Sequence, residues 1–320
     1  MRTGLTEAFR AAAGRVYWAS RHFLAHSRGK VMVLMYHRVL PRAELSAAYV
    51  QPGMYVTPET FERHLAFVQT HFEALSFPEL LRKWSVGAWD DSSRYCVLTF
   101  DDGWLDNYVY AFPLLRRYNV PATVFLPTAL IGSTEPLWTD RLGDLLRRRA
   151  AGTPDEWDAR IECAKLLDNE RREELIDRLA VEVGETARGP RRHLDWPEVR
   201  EMSRFGIAFG SHSMTHANLT RLDDASLDRE LRGSLDALRS HEGINWVPVL
   251  AYPNGDHTAA VARAARAAGF EAAVTTRPGL ETKRTADLFT LKRVAVHDDV
   301  SRSIPVMTLQ IARAVRAWSC

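Results

Sequence analysis

The chain has 320 residues, 46% hydrophobic and 26% charged, with a formal net charge of +2. This composition is ordinary for a globular protein of one α/β barrel or two small domains. So small a charge, with no basic run interleaved with aromatics, excludes nucleic acid as an expected partner. Cys96, Cys163 and Cys320 show no CxxC spacing, so no disulfide framework is expected.

Residues 1–30 contain Arg2, Arg10, Arg15, Arg21 and Arg28 and no uninterrupted apolar core, which is unlike a secretory signal. No stretch approaches the ~20 apolar residues of a membrane span. A cytoplasmic or membrane-peripheral location is therefore the expectation. Leu5, Phe9, Ala12, Val16 and Phe23 recur near helical spacing and predict an amphipathic helix over 5–26. That helix either packs on the barrel or lies on an anionic membrane surface through residues 1–28.

From residue 31 to 320 the chain reads as one domain. Apolar, β-prone runs recur at 31–36, 96–100, 122–126, 206–210, 247–251, 271–275 and 290–296. Amphipathic stretches lie between them. Pro58 to His71 carries Phe61, Leu65 and Val68 at helical spacing, with Thr57 as cap. Residues 107–118, 223–241 and 257–268 read the same way, the last ended by Gly269. Alternating strand and helix implies a parallel sheet, and seven or eight such units imply a barrel. The region 138–190 breaks the alternation. Trp157, Ile161, Leu175, Leu179 and Val183 mark two or three helices there. They form a wall or lid at the strand ends, or only pack outside. Arg147, Arg148 and Arg149, with Arg191 and Arg192, flank them as solvated charge or as contacts for an anionic glycan.

The chemistry sits at strand ends, where α/β folds keep it. The run Cys96 to Phe100 stops at Asp101, Asp102 and Gly103. Two adjacent carboxylates repel each other, and a divalent cation removes that repulsion. The run 206–210 is followed by His212 and His216, four residues apart. On a helical turn that spacing puts both imidazoles on one face. Two imidazoles and a carboxylate suit zinc or its neighbours and leave a position for water. A simple turn explains Asp-Asp-Gly alone, and chance explains the histidine spacing alone; together they favour a metal site.

Thr99-Phe100-Asp101-Asp102-Gly103 followed by His212-Ser213-Met214-Thr215-His216 resembles the first two motifs of the polysaccharide deacetylases, the NodB homology domain of carbohydrate esterase family four. Val33 to Val39 resembles the subgroup acting on poly-N-acetylglucosamine and related exopolysaccharides. Leu194 to Glu198 and Ala251 to Gly255 look like further landmarks, and the likeness runs from about Val31 to Val296.

The resemblance implies a distorted (β/α)7-type barrel with a helical insertion and an N-terminal helix. It implies metal-dependent removal of N-acetyl groups from an N-acetylated sugar, in a polysaccharide or a lipid-linked glycan. Asp102, His212 and His216 would hold the metal, Zn2+ first, with Co2+, Ni2+ or Fe2+ tolerated. Asp101 would be the general base, and His37 the acid, with His297 as its competitor. A backbone N–H near Tyr252 would face the oxyanion, and Trp104, Pro253 and Asn254 would meet the sugar. Aromatic faces pack on pyranose C–H surfaces, so Trp104 and Trp138 each read as a stacking platform or as core. The family's third motif carries an arginine behind the base, and Val249 to Pro253 has none. Arg293, at the end of a strand-like run, is the candidate replacement; otherwise it is a surface arginine. Two other functions fit the motifs less well: hydrolysis of another C–N bond, as in a cyclic amide or small acylated amine, and non-catalytic glycan binding.

Overall fold

The computed structural model describes residues 2–45, 49–150, 152–185, 189–284 and 287–317, with backbone alone for 2–8 and 314–317. Cys320 and the side chain of Leu5 thus lie outside the described residues. Seven strands form the centre: β1 (Lys30–Tyr36), β2 (Arg94–Phe100), β3 (Ala122–Leu126), β4 (Ala208–Ser211), β5 (Trp246–Ala251), β6 (Ala272–Pro278) and β7 (Leu291–Ala295). Each pairs in parallel with the next in chain order, and β7 returns to β1 with Leu34 opposite Val294. The result is a closed parallel barrel surrounded by helices, as the alternation and the resemblance implied. Register shifts between β4 and β5 and between β6 and β7 make it irregular. A short antiparallel strand, Glu281–Thr282, also pairs with the start of β1.

The strands are largely apolar because both faces are mostly buried, with Lys292 and Arg293 in β7 among the charged exceptions. Val31, Val33, Tyr95, Val97, Phe125, Ala208, Val249, Val274 and Leu291 form one apolar cluster. Met32, Leu34, Leu98, Val124 and Phe209 pack in another, with residues of the surrounding helices. The two-residue period therefore separates an inner from an outer face. Burying each such Val, Leu or Phe contributes roughly 1.5–3 kcal/mol.

The helix Pro58–His71 starts where Thr57 accepts from the Thr60 N–H, and it buries Phe61, Leu65 and Val68. The N-terminal segment is two helices rather than one, Arg2–Ala19 and His22–His26, broken at Arg21 with φ 53°. It packs on the domain. Trp18 meets Phe67 edge-on, and Gly14 lies so close to the C-terminal helix Ile304–Ala317 that a Cβ would sit 2.8 Å from the Pro305 carbonyl oxygen. Periodicity did not reveal that last helix.

The insertion is three helices, Trp138–Arg148, Pro154–Lys165 and Asn169–Glu182. They share an apolar core of their own, including Leu142, Leu145, Ile161, Ile176 and Leu179, to which Tyr49 also belongs. Trp138 is buried in this core with the Arg172 guanidinium over its ring, so the packing reading holds and the sugar-platform reading does not.

Candidate active site

Strand parity places the site. Continuing the inward series Val31, Val33, Met35 by one step gives His37, just past the end of β1. Tyr95, Val97 and Thr99 lead in the same way to Asp101, and Ala208 and Gly210 lead to His212. In β7, Leu291 leads to Arg293. Four chemically active residues thus converge at the C-terminal mouth of the barrel by the same geometric rule that fills its interior.

Asp101 is held tightly. Its N–H donates to the Tyr36 carbonyl at 3.0 Å, extending the β1–β2 pairing. Arg293 donates to both carboxylate oxygens, each at 2.7 Å. The arginine is itself fully buried and donates through Nε to the Thr275 carbonyl at 3.0 Å and through Nη1 to Thr99 Oγ1 at 3.2 Å. Arg293 therefore stands behind Asp101, not on the surface. Burial pushes the Asp101 carboxyl up, but Arg293, then His212 and His37, outweigh it and hold it below the usual range.

Asp102 faces elsewhere because its φ of 70° turns the chain out of the strand. One oxygen, Oδ2, accepts from Trp104 Nε1 at 3.2 Å. The other, Oδ1, is buried without a hydrogen-bond partner and lies 3.4 Å from Nε2 of both His212 and His216. His212 Nδ1 is 2.7 Å from the Ala251 carbonyl, which can only accept, so that nitrogen carries a proton and Nε2 faces Asp102. Burial lowers the His216 pKa to about 3, which keeps its imidazole neutral. One donor atom each from Asp102, His212 and His216 lies within 4.8 Å of the others. An orphaned carboxylate oxygen and two ring nitrogens aimed at one point fit a divalent ion.

The two histidines do not sit on a helical turn. β4 ends at Ser211, and the chain from His212 to His216 is a loop with φ of 63° at Ser213 and 59° at His216. Local side chains replace the helix bonds. Ser211 Oγ accepts from the Ser213 N–H and Ser213 Oγ from the His216 N–H, at 3.0 and 3.1 Å. Glu230 accepts from the N–H groups of Met214 and Thr215 at 2.8 and 3.0 Å. The spacing is right, but the geometry behind it is a capped loop.

His37 lies with Nε2 3.9 Å from Asp101 Oδ2, its side chain 16% exposed. Burial lowers its pKa despite the Asp102 and Asp101 charges nearby. It opens on a cavity of about 300 Å³ that Asp101, Asp102, His212 and His216 also line. His297 lines the same cavity but pairs through Nδ1 with Asp299 at 3.2 Å. The lining also includes Gln51, Thr139 and Lys165, which sequence reasoning did not single out. The insertion therefore forms part of the wall. Its amphipathic helices announced a core, but nothing in their pattern marked Lys165 as facing the site.

Three substrate-side expectations change. Trp104 is only 2% exposed, its ring stacked on His193 and its N–H given to Asp102, so it has no face for a sugar. The Tyr252 N–H donates to the Val274 carbonyl at 3.2 Å and its hydroxyl to the Phe289 carbonyl at 3.1 Å, so that N–H is not free for an oxyanion. Pro253 is buried in the turn after β5, while Asn254 and Tyr252 are among the residues lining the cavity, the Tyr252 ring being stacked on His257.

The family profile described as Polysaccharide deacetylase matches residues 89–273, which include both motifs. "Putative polysaccharide deacetylase YxkH" of Bacillus subtilis is 22% identical over 274 residues, 86% of this chain and 74% of that one. The poly-beta-1,6-N-acetyl-D-glucosamine N-deacetylase of Staphylococcus epidermidis is 30% identical over 121 residues, 35% of this chain and 40% of that one. Among solved structures, the Streptococcus pyogenes deacetylase PplD in complex with acetate superposes with a TM-score of 0.60 at 22% identity, covering 89% of this chain and 98% of that one. With the profile spanning more than half of the sequence and the fold shared, the chain belongs to the polysaccharide deacetylase family.

Proposed function

We propose that the chain hydrolyses the acetamide of an N-acetylated sugar, in a polysaccharide or a lipid-linked glycan, with a divalent metal held by Asp102, His212 and His216. The observation that carries this reading is the buried Asp102 Oδ1 without a protein donor, facing two imidazole nitrogens beside a separately anchored carboxylate. A bound ion supplies Lewis acidity, polarising the carbonyl and acidifying water. Zn2+ is our first choice, and the donor set also tolerates Co2+, Ni2+ or Fe2+. Asp101, kept ionised by Arg293, accepts the proton of the attacking water. His37 is 3.9 Å away and delivers a proton to the departing amine. His297, which lines the same cavity, competes for that role. With the Tyr252 N–H engaged and Pro253 lacking one, the Asn254 N–H is the turn's donor for the oxyanion. The name of the Staphylococcus relative supports a poly-N-acetylglucosamine-like substrate.

The test is acetate release from poly-N-acetylglucosamine and chitooligosaccharides. Asp101→Asn should abolish turnover yet keep metal, and His212→Ala should lose both. Turnover of a cyclic amide with no acetate from any glycan would move the reading to other C–N bonds. Glycan binding by inactive, metal-loaded protein would favour a binding module. Among the described residues no helix is long and apolar enough to cross a membrane. The N-terminal helix leaves Phe9 and Val16 70% and 74% exposed, with Arg10 and Arg15 exposed beside them. That favours peripheral contact with an anionic bilayer, and equal flotation of full-length protein and a version lacking residues 1–28 would dismiss it.

A further inference from the structure

We propose that Trp104 and His193 are positioning residues for Asp102: together they hold its backbone in the left-handed turn and fix which carboxylate oxygen faces His212 and His216. The inference rests on the reading of those three residues as metal ligands.

The turn needs holding. A non-glycine residue at φ 70° is uncommon and strained, and it persists only where the surroundings over-determine it. Those surroundings come from far along the chain. The segment returning from the insertion runs antiparallel past the Asp-Asp-Gly turn and pairs His193 with Trp104. The Leu105 N–H donates to the Arg192 carbonyl and the Leu194 N–H to the Gly103 carbonyl, each at 2.8 Å. His193 Nδ1 lies 3.0 Å from the Asp102 carbonyl oxygen. A carbonyl can only accept, so that nitrogen is the donor, and the ligand's own peptide group is anchored by a residue 91 positions away.

The side chain is fixed in the same way. A carboxylate has two equivalent oxygens, and only an asymmetric environment selects one for a metal. Trp104 Nε1 donates to Oδ2, which leaves Oδ1 for the imidazoles. The indole cannot swing away. It stacks on His193 at 4.9 Å and 26°, and the Arg38 guanidinium lies 4.3 Å from its ring centre. Arg38 is held in turn by Asp106 at 2.8 Å. Phenylalanine would fill much of this space, but only tryptophan places a ring donor against Oδ2.

Outer partners of metal ligands are worth about 10–100-fold in metal affinity. The measurement is Co2+ titration of apo-protein, by absorbance and by chelator competition, for the full-length wild type, Trp104→Phe, His193→Ala and His212→Ala, alongside apo-protein melting curves. We expect Trp104→Phe to weaken Co2+ binding about 10–100-fold and to alter the d–d spectrum, with the apo-protein still folded. His193→Ala should weaken binding in the same direction, and it decides the question if Trp104→Phe does not fold. A merely structural role would lower both melting temperatures and leave wild-type affinity and spectrum in the folded protein; that result overturns the inference. If it comes with loss of binding in His212→Ala, only the positioning role fails. If His212→Ala binds Co2+ as wild type does, the ligand assignment itself falls, and this inference with it.

Discussion

The barrel mouth and the helical insertion are both crowded with charge, and they use it in opposite ways. At the mouth, the side chains of Asp101, Asp102, Arg293 and His212 are all between 0% and 4% exposed. In the insertion most pairs keep at least one partner exposed, as Arg149 with Glu182 at 41% and 52% and Arg171 with Asp168 at 75% and 49%, while Arg172 is the buried exception over Trp138. Taking an ion out of water costs several kcal/mol unless partners saturate it, whereas exposed pairs are screened and weak. Charge density therefore does not locate chemistry. Buried charges that converge on one cavity do, where an Asp102 oxygen without a donor faces two imidazole nitrogens.

The largest effect expected from this contrast is at Arg293. Arg293→Ala should cost about 3–5 kcal/mol of stability, because it leaves Asp101 buried and unpaired. It should lower kcat/KM about 10²–10⁴-fold, the usual share of general-base catalysis. The sign of the pH effect follows from the same pair. Arg293 is the main influence holding the Asp101 pKa down against burial, so without it the acidic limb of the pH–rate profile moves to higher pH. The wild-type stabilisation from this depressed carboxyl is present above the unfolded pKa and fades as pH falls through the lower folded value. Urea melts and pH profiles read both effects. Arg293→Ala with wild-type activity and an unmoved limb would erase the distinction between the two regions.

The barrel was legible because seven apolar runs alternate with amphipathic helices, and Asp101, Asp102, His212 and His216 because like charges and paired imidazoles at strand ends need a reason. Arg293 was legible as a candidate only through its place near a strand end. What failed was what spacing cannot encode. An interval of four residues is compatible with a helical turn or with a serine-capped loop, and only the Ser211, Ser213 and Glu230 acceptors decide between them. Trp104 next to a glycine turn looked like a sugar platform because its partner, His193, arrives from beyond the insertion. Lys165 was hidden for the same reason: tertiary docking, not helical periodicity, puts it on the cavity.

The contact between insertion and barrel can be strained from the insertion side. Gly143 lies against Tyr49, and a Cβ there would overlap the tyrosine ring. Tyr49 also donates its hydroxyl to Asp158 and its N–H to Asp144, which in turn pairs with Arg192. Gly143→Ala should cost about 1–3 kcal/mol by overpacking. A cost within ±0.5 kcal/mol in urea melts would show that the insertion is loosely docked.

Lys165 asks whether this wall meets substrate. It lines the cavity while paired with Glu162 at 2.6 Å. Lys165→Ala should raise KM several-fold and leave kcat unchanged, the signature of lost uniform binding. A fall in kcat with KM unchanged would instead place Lys165 with the catalytic group and blur the contrast.

The smallest effect belongs to the exposed pairs, and it sets the floor for the comparison. Arg149 and Glu182 meet at 3.3 Å, but both remain largely in water, and both give up side-chain freedom to meet. Arg149→Ala should change stability by no more than about 0.5 kcal/mol, falling further as salt is raised. A double-mutant cycle with Glu182→Ala isolates the pair from the separate effects of each truncation. Should that coupling approach the stability cost of Arg293→Ala, burial would not be what separates the two regions, and the case for reading the site from its buried charges would have to rest on the orphaned Asp102 oxygen alone.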